Sequence, residues 1–349
     1  MFRLGSAFTP DGGPLCSKGM ASRFRIFAAF LSTWAALVHE TSAEDLGGNR
    51  HLGMSGASAA VFLDAGRVVV ANDEDNRLRV YNPTNNQTAI TAWDASPWLR
   101  LTGRNPECDL EGAARVGSRI YWIGSHGRNK DGKFRPNRQR FFATEVTETP
   151  QGPRLNPVGI PCSTLVEAML ADPKLGSLRL GAAAVVPPDA KGGLSIEALA
   201  ARPDGSLWIG FRGPLAKGKA ILVPLLNPDA VLEGRLPVFG NPTRLDLGGR
   251  GLRDMAWTGT EWILVAGATG GDQKGTRLFR WNGEGSSPAG LDLPGIKNLH
   301  IEAVAVPPEK PVRRLFLCSD DSHRNSMISA SFRSFWVDLP VLPNSVPDR

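Results

Sequence analysis

The chain has 349 residues, a hydrophobic fraction of 42%, a charged fraction of 21% and a formal net charge of +6. That balance supports a sizeable folded core and excludes gross disorder. The basic residues are scattered rather than gathered into a stripe, which argues against nucleic acid as a partner.

Residues 20–43 read as a secretory signal. Arg23 and Arg25 form a basic start, Ile26 to Val38 an apolar stretch broken by Ser32 and Thr33, and Thr41-Ser42-Ala43 a small-residue cleavage site. The apolar stretch falls short of the roughly 20 residues a spanning helix needs, so the mature form is expected to carry no transmembrane anchor. The expectation is translation from Met20, cleavage after Ala43, and a periplasmic or secreted protein spanning 44–349, with residues 1–19 an upstream extension. Cysteines 108, 162 and 318 follow that cleavage. Export permits a disulfide, with Cys108–Cys162 the first pair to consider, and Cys318 on an apolar run reads as a buried residue.

Five segments then repeat one pattern, at 55–76, 109–129, 195–215, 251–271 and 300–322. Each holds a small-residue strand, a turn with Gly or Pro, and a strand of nearly unbroken apolar residues. The runs at 67–72, 120–125, 207–211 and 262–267 do not alternate apolar with polar, so they call for burial on both faces. Parallel sheets and stacked propeller blades both provide this. The spacing lacks the helical crossovers that parallel strands require, which leaves an all-β single β-propeller. Third strands follow at Arg77, Arg140, Ala220, Arg277 and Arg333, with weaker fourth strands near Thr88, Arg244 and Ala289. The last repeat lacks an outer strand, which residues 44–54 are placed to supply. Five blades result, with six as the alternative count.

The second and third repeats are more widely spaced than the others. The surplus includes 163–178, whose apolar period and Ser163 cap predict a short helical insertion, a degenerate sixth blade being the alternative.

Aligned repeats place Glu111, Glu197, Arg253 and Glu302 at one register, the start of each inner strand, where the first repeat has Ala57. Antiparallel pairing puts the loops after the second strands at the same end. Those loops bring Asp73, His126, Arg128, Arg212, Asp320, Asp321 and His323 to one mouth of the channel. Glu111, Glu197 and Glu302, with Asp73 or Asp320, would give the oxygen-rich shell that Ca²⁺ prefers. Arg128, Arg212 and Arg253, with the three aspartates, would hold a small polar or anionic ligand. His126 or His323 has the intrinsic pKa for acid–base work on an ester, lactone or phosphoester. The same pattern also fits ion pairs that merely hold blades together. A noncatalytic interaction scaffold of the envelope, using the rims or the insertion, therefore stands beside ligand binding and hydrolysis. No oligomerisation signal is visible, so a monomer is expected.

The motifs Asp109-Leu-Glu-Gly, Tyr121-Trp-Ile-Gly-Ser-His-Gly-Arg-Asn, Gly193-Leu-Ser-Ile-Glu-Ala-Leu-Ala, Gly210-Phe-Arg-Gly-Pro-Leu, Asp246-Leu-Gly-Gly-Arg-Gly-Leu-Arg-Asp-Met and Ala266-Gly-Ala-Thr-Gly-Gly, in that order, resemble bacterial domain-of-unknown-function family 3616. The resemblance covers roughly residues 50–335 and implies a propeller without an established activity. A looser likeness, through the Glu-Gly-(Ile/Leu)-Ala inner strand, is to esterase-like phytase and lactonase-type propellers. Leu110-Glu111-Gly112-Ala113 keeps that form, whereas Ala198 and Ala303 replace the Gly and Arg253 replaces the Glu.

Overall fold

A computed structural model describes residues 48–340, apart from 86, 105, 273, 294, 297–298 and 322–329. The signal segment and His323 lie outside the described residues. Within them, strands form five antiparallel sheets of four strands each, which are the five blades of a β-propeller.

Blade 1 is β2 (Ala59–Asp64), β3 (Arg67–Ala71), β4 (Arg77–Tyr81) and β5 (Thr91–Asp94). Blade 2 is β6 (Leu110–Val116), β7 (Arg119–Gly124), β8 (Phe141–Thr149) and β9 (Gly152–Cys162). Blade 3 is β10 (Ser195–Ala201), β11 (Leu207–Ala216), β12 (Lys219–Leu225) and β13 (Thr243–Leu245). Blade 4 is β14 (Gly251–Trp257), β15 (Trp262–Gly267), β16 (Arg277–Trp281) and β17 (Ala289–Leu291). Blade 5 is β18 (Ile301–Ala305), β19 (Arg314–Ser319) and β20 (Ser331–Asp338), completed by the N-terminal strand β1 (Asn49–Leu52) as its outer strand.

The second strands explain why the blades stack. On β3, Val68 and Val70 pack against Phe316 of blade 5, while Val69 and Ala71 pack against Ile120 and Trp122 of blade 2. On β7, Ile120 and Trp122 face blade 1, and Tyr121 and Ile123 face Leu207 and Ile209 of blade 3. Alternate side chains leave opposite faces of a strand, so an unbroken apolar run supplies two cores at once. The pattern continues round the ring. Trp262 and Leu264 join blade 3, Ile263 and Val265 join blade 5, and Phe316 and Cys318 return to blade 1. Five inter-blade cores serve five blades.

Closure rests on β1, which runs antiparallel to β20 from Asn49 opposite Ser334 to Leu52 opposite Ser331. His51 is fully buried there, with Nε2 2.8 Å from the Ser334 hydroxyl and its ring stacked on Phe332 at 4.8 Å. The Tyr81 hydroxyl donates to the Leu52 carbonyl at 2.9 Å, tying the closing strand to blade 1.

Between β9 and β10 lie α2 (Leu165–Ala171) and α3 (Leu180–Ala183), joined by a 3₁₀ turn at Pro173–Leu178; two further short helices are α1 (Ser96–Leu99) and α4 (Pro228–Leu232). Leu165, Met169, Leu175 and Leu180 pack into the core shared by blades 2 and 3. The wide spacing of those repeats is thus an eleven-residue outer strand plus a helical insertion, not a sixth blade. The helix begins one residue later than the sequence implies: Thr164 is the N-cap, without a side-chain capping bond, and Ser163 caps nothing. Asp172 instead caps the 3₁₀ turn by accepting from Lys174 N–H at 2.9 Å.

Cys108, Cys162 and Cys318 are all free. Cys108 is sealed in the blade 1–2 core and Cys162 packs on the blade 2–3 core, so the pairing considered from sequence joins residues that serve different interfaces. Cys318 is buried in the blade 5–1 core, as expected of an apolar residue. Among the described residues no helix is long and apolar enough to cross a membrane.

Burial pushes the His51 imidazole from 6.5 down to about 4, so the folded ring excludes a proton that the unfolded chain accepts. The stability it contributes is therefore present above about pH 6.5 and is lost as pH falls toward 4. Thermal melts followed by circular dichroism are expected to show the wild type losing stability relative to His51→Gln as pH falls across that window.

Candidate functional site

The residues at the shared inner-strand register are β-bulges. Leu110 pairs with Gly124 and Gly112 with Ile123, which leaves Glu111 without a partner. The same skip occurs at Glu197 on β10, Arg253 on β14 and Glu302 on β18. A bulged residue leaves the ladder and re-aims its side chain, commonly beside functional sites. All four side chains line one cavity of about 510 Å³, together with Asp73 and Asp320 from loops after second strands. Blade 1 departs from the pattern, since its inner strand begins at Ala59, after Ala57.

Chain packing at this mouth depends on missing Cβ atoms. A Cβ at Gly251 would lie 1.9 Å from the Arg212 carbonyl oxygen, and one at Gly193 1.9 Å from that of Pro187. Only glycine lets β14 approach the segment that carries Arg212, and lets the 187–193 turn place Asp189 at the rim.

The lining holds eight carboxylates and five cationic side chains, so carboxylates are in excess. The cations are largely committed. Arg212 Nε lies 2.6 Å from Glu197 Oε1, and Arg253 bridges Glu197 Oε2 at 3.5 Å and Glu302. Arg138 contacts Glu107 and lies 2.8 Å from Asp109 Oδ2, while the Ser125 hydroxyl also donates to Asp109. Glu197 and Glu302 are therefore held by arginines at the blade junctions, and Arg212 and Arg253 are consumed by those carboxylates.

Glu111 is differently placed. It forms a cluster with Asp73 and Asp109, in which one carboxylate oxygen from each lies within 4.8 Å of the others. Glu197 and Glu302 are outside that cluster, so the three glutamates grouped from sequence divide into one acidic cluster and one arginine network. Among the described residues, no cation lies within ion-pair distance of Asp73 or Glu111.

The electrostatics follow from that division. Burial, reinforced by Glu197, Asp109 and Asp73, raises the Glu111 carboxyl well above the usual range. Burial, with Glu302, Asp109 and Asp320, does the same to Asp73. Asp109 is raised to about 6 because burial outweighs the pull of Arg138 and the Ser125 hydrogen bond. Burial opposes charge on Arg253, yet Glu302, Glu197 and Glu111 outweigh it and keep that guanidinium firmly protonated.

Three residues placed at the mouth from sequence are elsewhere. His126 is buried outside the cavity lining, with Nδ1 2.8 Å from the Gly124 carbonyl, and burial lowers its pKa to about 4. It stays neutral and out of reach of a ligand in the cavity. Arg128 donates to the Ala184 and Gly132 carbonyls at 2.8 and 2.9 Å, which fastens the insertion. Asp321 pairs with Arg333 through contacts of 2.7 and 2.8 Å within blade 5. These departures have one cause: a loop shares an end with the mouth, but its turn sends only some side chains inward.

Asp109, Arg138 and Asp189 were not singled out from sequence. Asp109 precedes the Leu110-Glu111-Gly112 run, where its left-handed φ of 56° turns the chain into the inner strand, so the motif held a signal. Arg138 lies in a 3₁₀ turn at Pro136–Arg138, far from any repeat register, and had none.

No curated protein matches the chain. Among solved structures, it is similar to a putative oxidoreductase (glucose dehydrogenase) of Thermus thermophilus, at 14% identity over 84% of this chain and 100% of that one, with a TM-score of 0.42. It is also similar to the PQQ-bound aldose sugar dehydrogenase of Streptomyces coelicolor, at 10% identity, 84% and 99% coverage and a TM-score of 0.44. A third is the glutaminyl cyclase of Myxococcus xanthus, at 12% identity, 84% and 96% coverage and a TM-score of 0.42. Residues 159–299, from the outer strand of blade 2 through blade 4, match the family model described as Protein of unknown function (DUF3616).

Proposed function

We propose that this protein is an exported β-propeller whose acidic mouth binds a divalent cation, calcium by its donor chemistry, and through it a small polar or anionic ligand. The observation that carries this reading is the Asp73–Asp109–Glu111 cluster, in which Asp73 and Glu111 lack a cationic partner among the described residues. An all-oxygen set suits a hard cation, whereas zinc favours His and Cys. Calcium takes six to eight oxygens, so three carboxylates leave positions for water and for an oxygen of the ligand. A neighbouring anion would otherwise meet an excess of carboxylates, with Arg212 and Arg253 already engaged. Export is supported by the basic, apolar and small-residue succession of residues 20–43. The role proposed is binding. It requires no general base, and His126 is too deeply buried to act as one at this mouth.

Calorimetric titration of CaCl₂ into chelator-treated protein tests this. Saturable binding is expected at pH 7.5, weakening as pH falls through about 6, where Asp109 takes up a proton. Calcium at a hundredfold its Kd should stabilise the fold by about 2.7 kcal/mol. Without calcium the sign reverses. Carboxyls with raised folded pKa values bind more protons folded than unfolded, so their contribution to metal-free stability declines as pH rises above about 4, opposite in sign to that of His51. No heat and no thermal shift at millimolar calcium would refute the reading.

Two substitutions separate the acidic cluster from the arginine network. Glu111→Gln removes a buried carboxyl that has no cationic partner among the described residues, so it should abolish the calcium response while leaving metal-free stability at pH 7.5 unchanged or higher. Glu197→Gln removes the buried carboxylate shared by Arg212 and Arg253, leaving Arg212 only the exposed Asp189 at 3.6 Å, and is expected to cost about 3 kcal/mol in urea denaturation whether or not calcium is present.

A further inference from the structure

The opposite end of the channel has a different chemistry. Three residues beyond the mouth register each inner strand carries an alanine: Ala60, Ala114, Ala200, Ala256 and Ala305. At about 3.3 Å per residue, that places this ring roughly 10 Å along the strands from the bulges. The five alanines line a second cavity, of about 400 Å³, walled further by Met255 and Trp257. That volume is within the range of small-molecule sites, about 300–1,000 Å³.

No carboxylate lines this cavity, but Arg115, Arg202 and Lys310 do. Arg202 has Asp204 at 3.8 Å and Glu284 at 3.7 Å. Arg115 and Lys310 have no carboxylate in ion-pair range among the described residues. Arg115 donates to the carbonyls of Phe62 and Leu63, and Lys310 to that of Thr258 at 2.8 Å. Carbonyls orient these groups but leave their positive charge uncompensated. A socket with an apolar floor and a cationic rim is complementary to a molecule with an apolar body and one anionic head.

We infer that this end of the channel is a second ligand site, which takes a small amphiphilic carboxylate, its body against the alanine ring and its head toward Arg115 and Lys310. The site shares no lining residue with the acidic mouth and does not depend on calcium. A volume of about 400 Å³ suits a short to medium chain.

Calorimetric titrations with octanoate, octan-1-ol and acetate test the inference. Octanoate is expected to bind, octan-1-ol about tenfold more weakly for want of the charged head, and acetate not measurably. Substituting Arg115→Gln and Lys310→Gln together should bring octanoate down to the level of octan-1-ol. Should that double variant fail to fold by circular dichroism, Ala256→Leu, which fills the socket and keeps the rim, must abolish octanoate binding. Glu111→Gln and chelator must leave octanoate binding unchanged, which keeps this site distinct from the calcium reading. Equal affinity for octanoate and octan-1-ol, no octanoate binding, or octanoate binding that survives the folded variants would overturn it.

Discussion

The constraint on which this molecule depends is that each blade is apolar on both faces. A sheet of this kind cannot end against water, because its second strand would expose alternate large side chains along its whole length. Stacking solves the problem only if the stack has no first and last member. The ring does so by letting β1 complete blade 5, with His51 packed between Phe332 and Tyr81 at the join. The closing histidine is a fully buried polar group among three aromatic rings, those of Tyr81, Phe316 and Phe332. Its single hydrogen bond to Ser334 is compatible with burial only while the ring stays neutral.

Closure also determines where polar groups can stand. Between the blades there is little room for an unpaired charge, and the charged residues that the inner strands send into the mouth stand at bulges, where the ladder has already been interrupted. The four bulges at one register turn their side chains toward the axis from neighbouring blades. Such convergence is favourable for opposite charges and costly for like ones. Arg253 on blade 4 stands between Glu197 and Glu302 on its two neighbours, and all three find partners. On the other side, Glu111 meets Asp73 and Asp109, where Arg138 reaches only Asp109. The asymmetry of one substitution in the repeat, Arg for Glu, thereby divides the mouth into a compensated half and an acidic half. Asp254, next to Arg253, shows the structural use of a carboxylate by contrast. It is buried and accepts the Val304 N–H of the next blade at 2.8 Å, so it links blades.

Three residues beyond that register the same strands each carry an alanine. Five strands meeting about one axis leave space for only small side chains at that level, and this narrowness makes the far end of the channel apolar while the near end is crowded with charge. A single strand, read from its bulge to its end, thus passes from an ionic to an apolar environment within a few residues.

Much of this architecture was legible in the chain itself. Unbroken apolar runs such as Val68–Ala71 and Trp262–Gly267 demand two buried faces, and their recurrence at near-regular spacing demands stacked copies. Local sequence therefore determined the five blades, the missing outer strand and the register shared by Glu111, Glu197, Arg253 and Glu302. Tertiary structure decided what each charge at that register does, because an ion pair is set by the distances between side chains on different blades, which no single repeat encodes. It gave Glu197 and Glu302 to arginines, drew Asp109 to Glu111, and turned His126, Arg128 and Asp321 away from the cavity. It also left the cysteines apart, in cores belonging to different blade interfaces. Periodicity specifies which face of a strand is buried; only the closed ring specifies which charges meet across its axis.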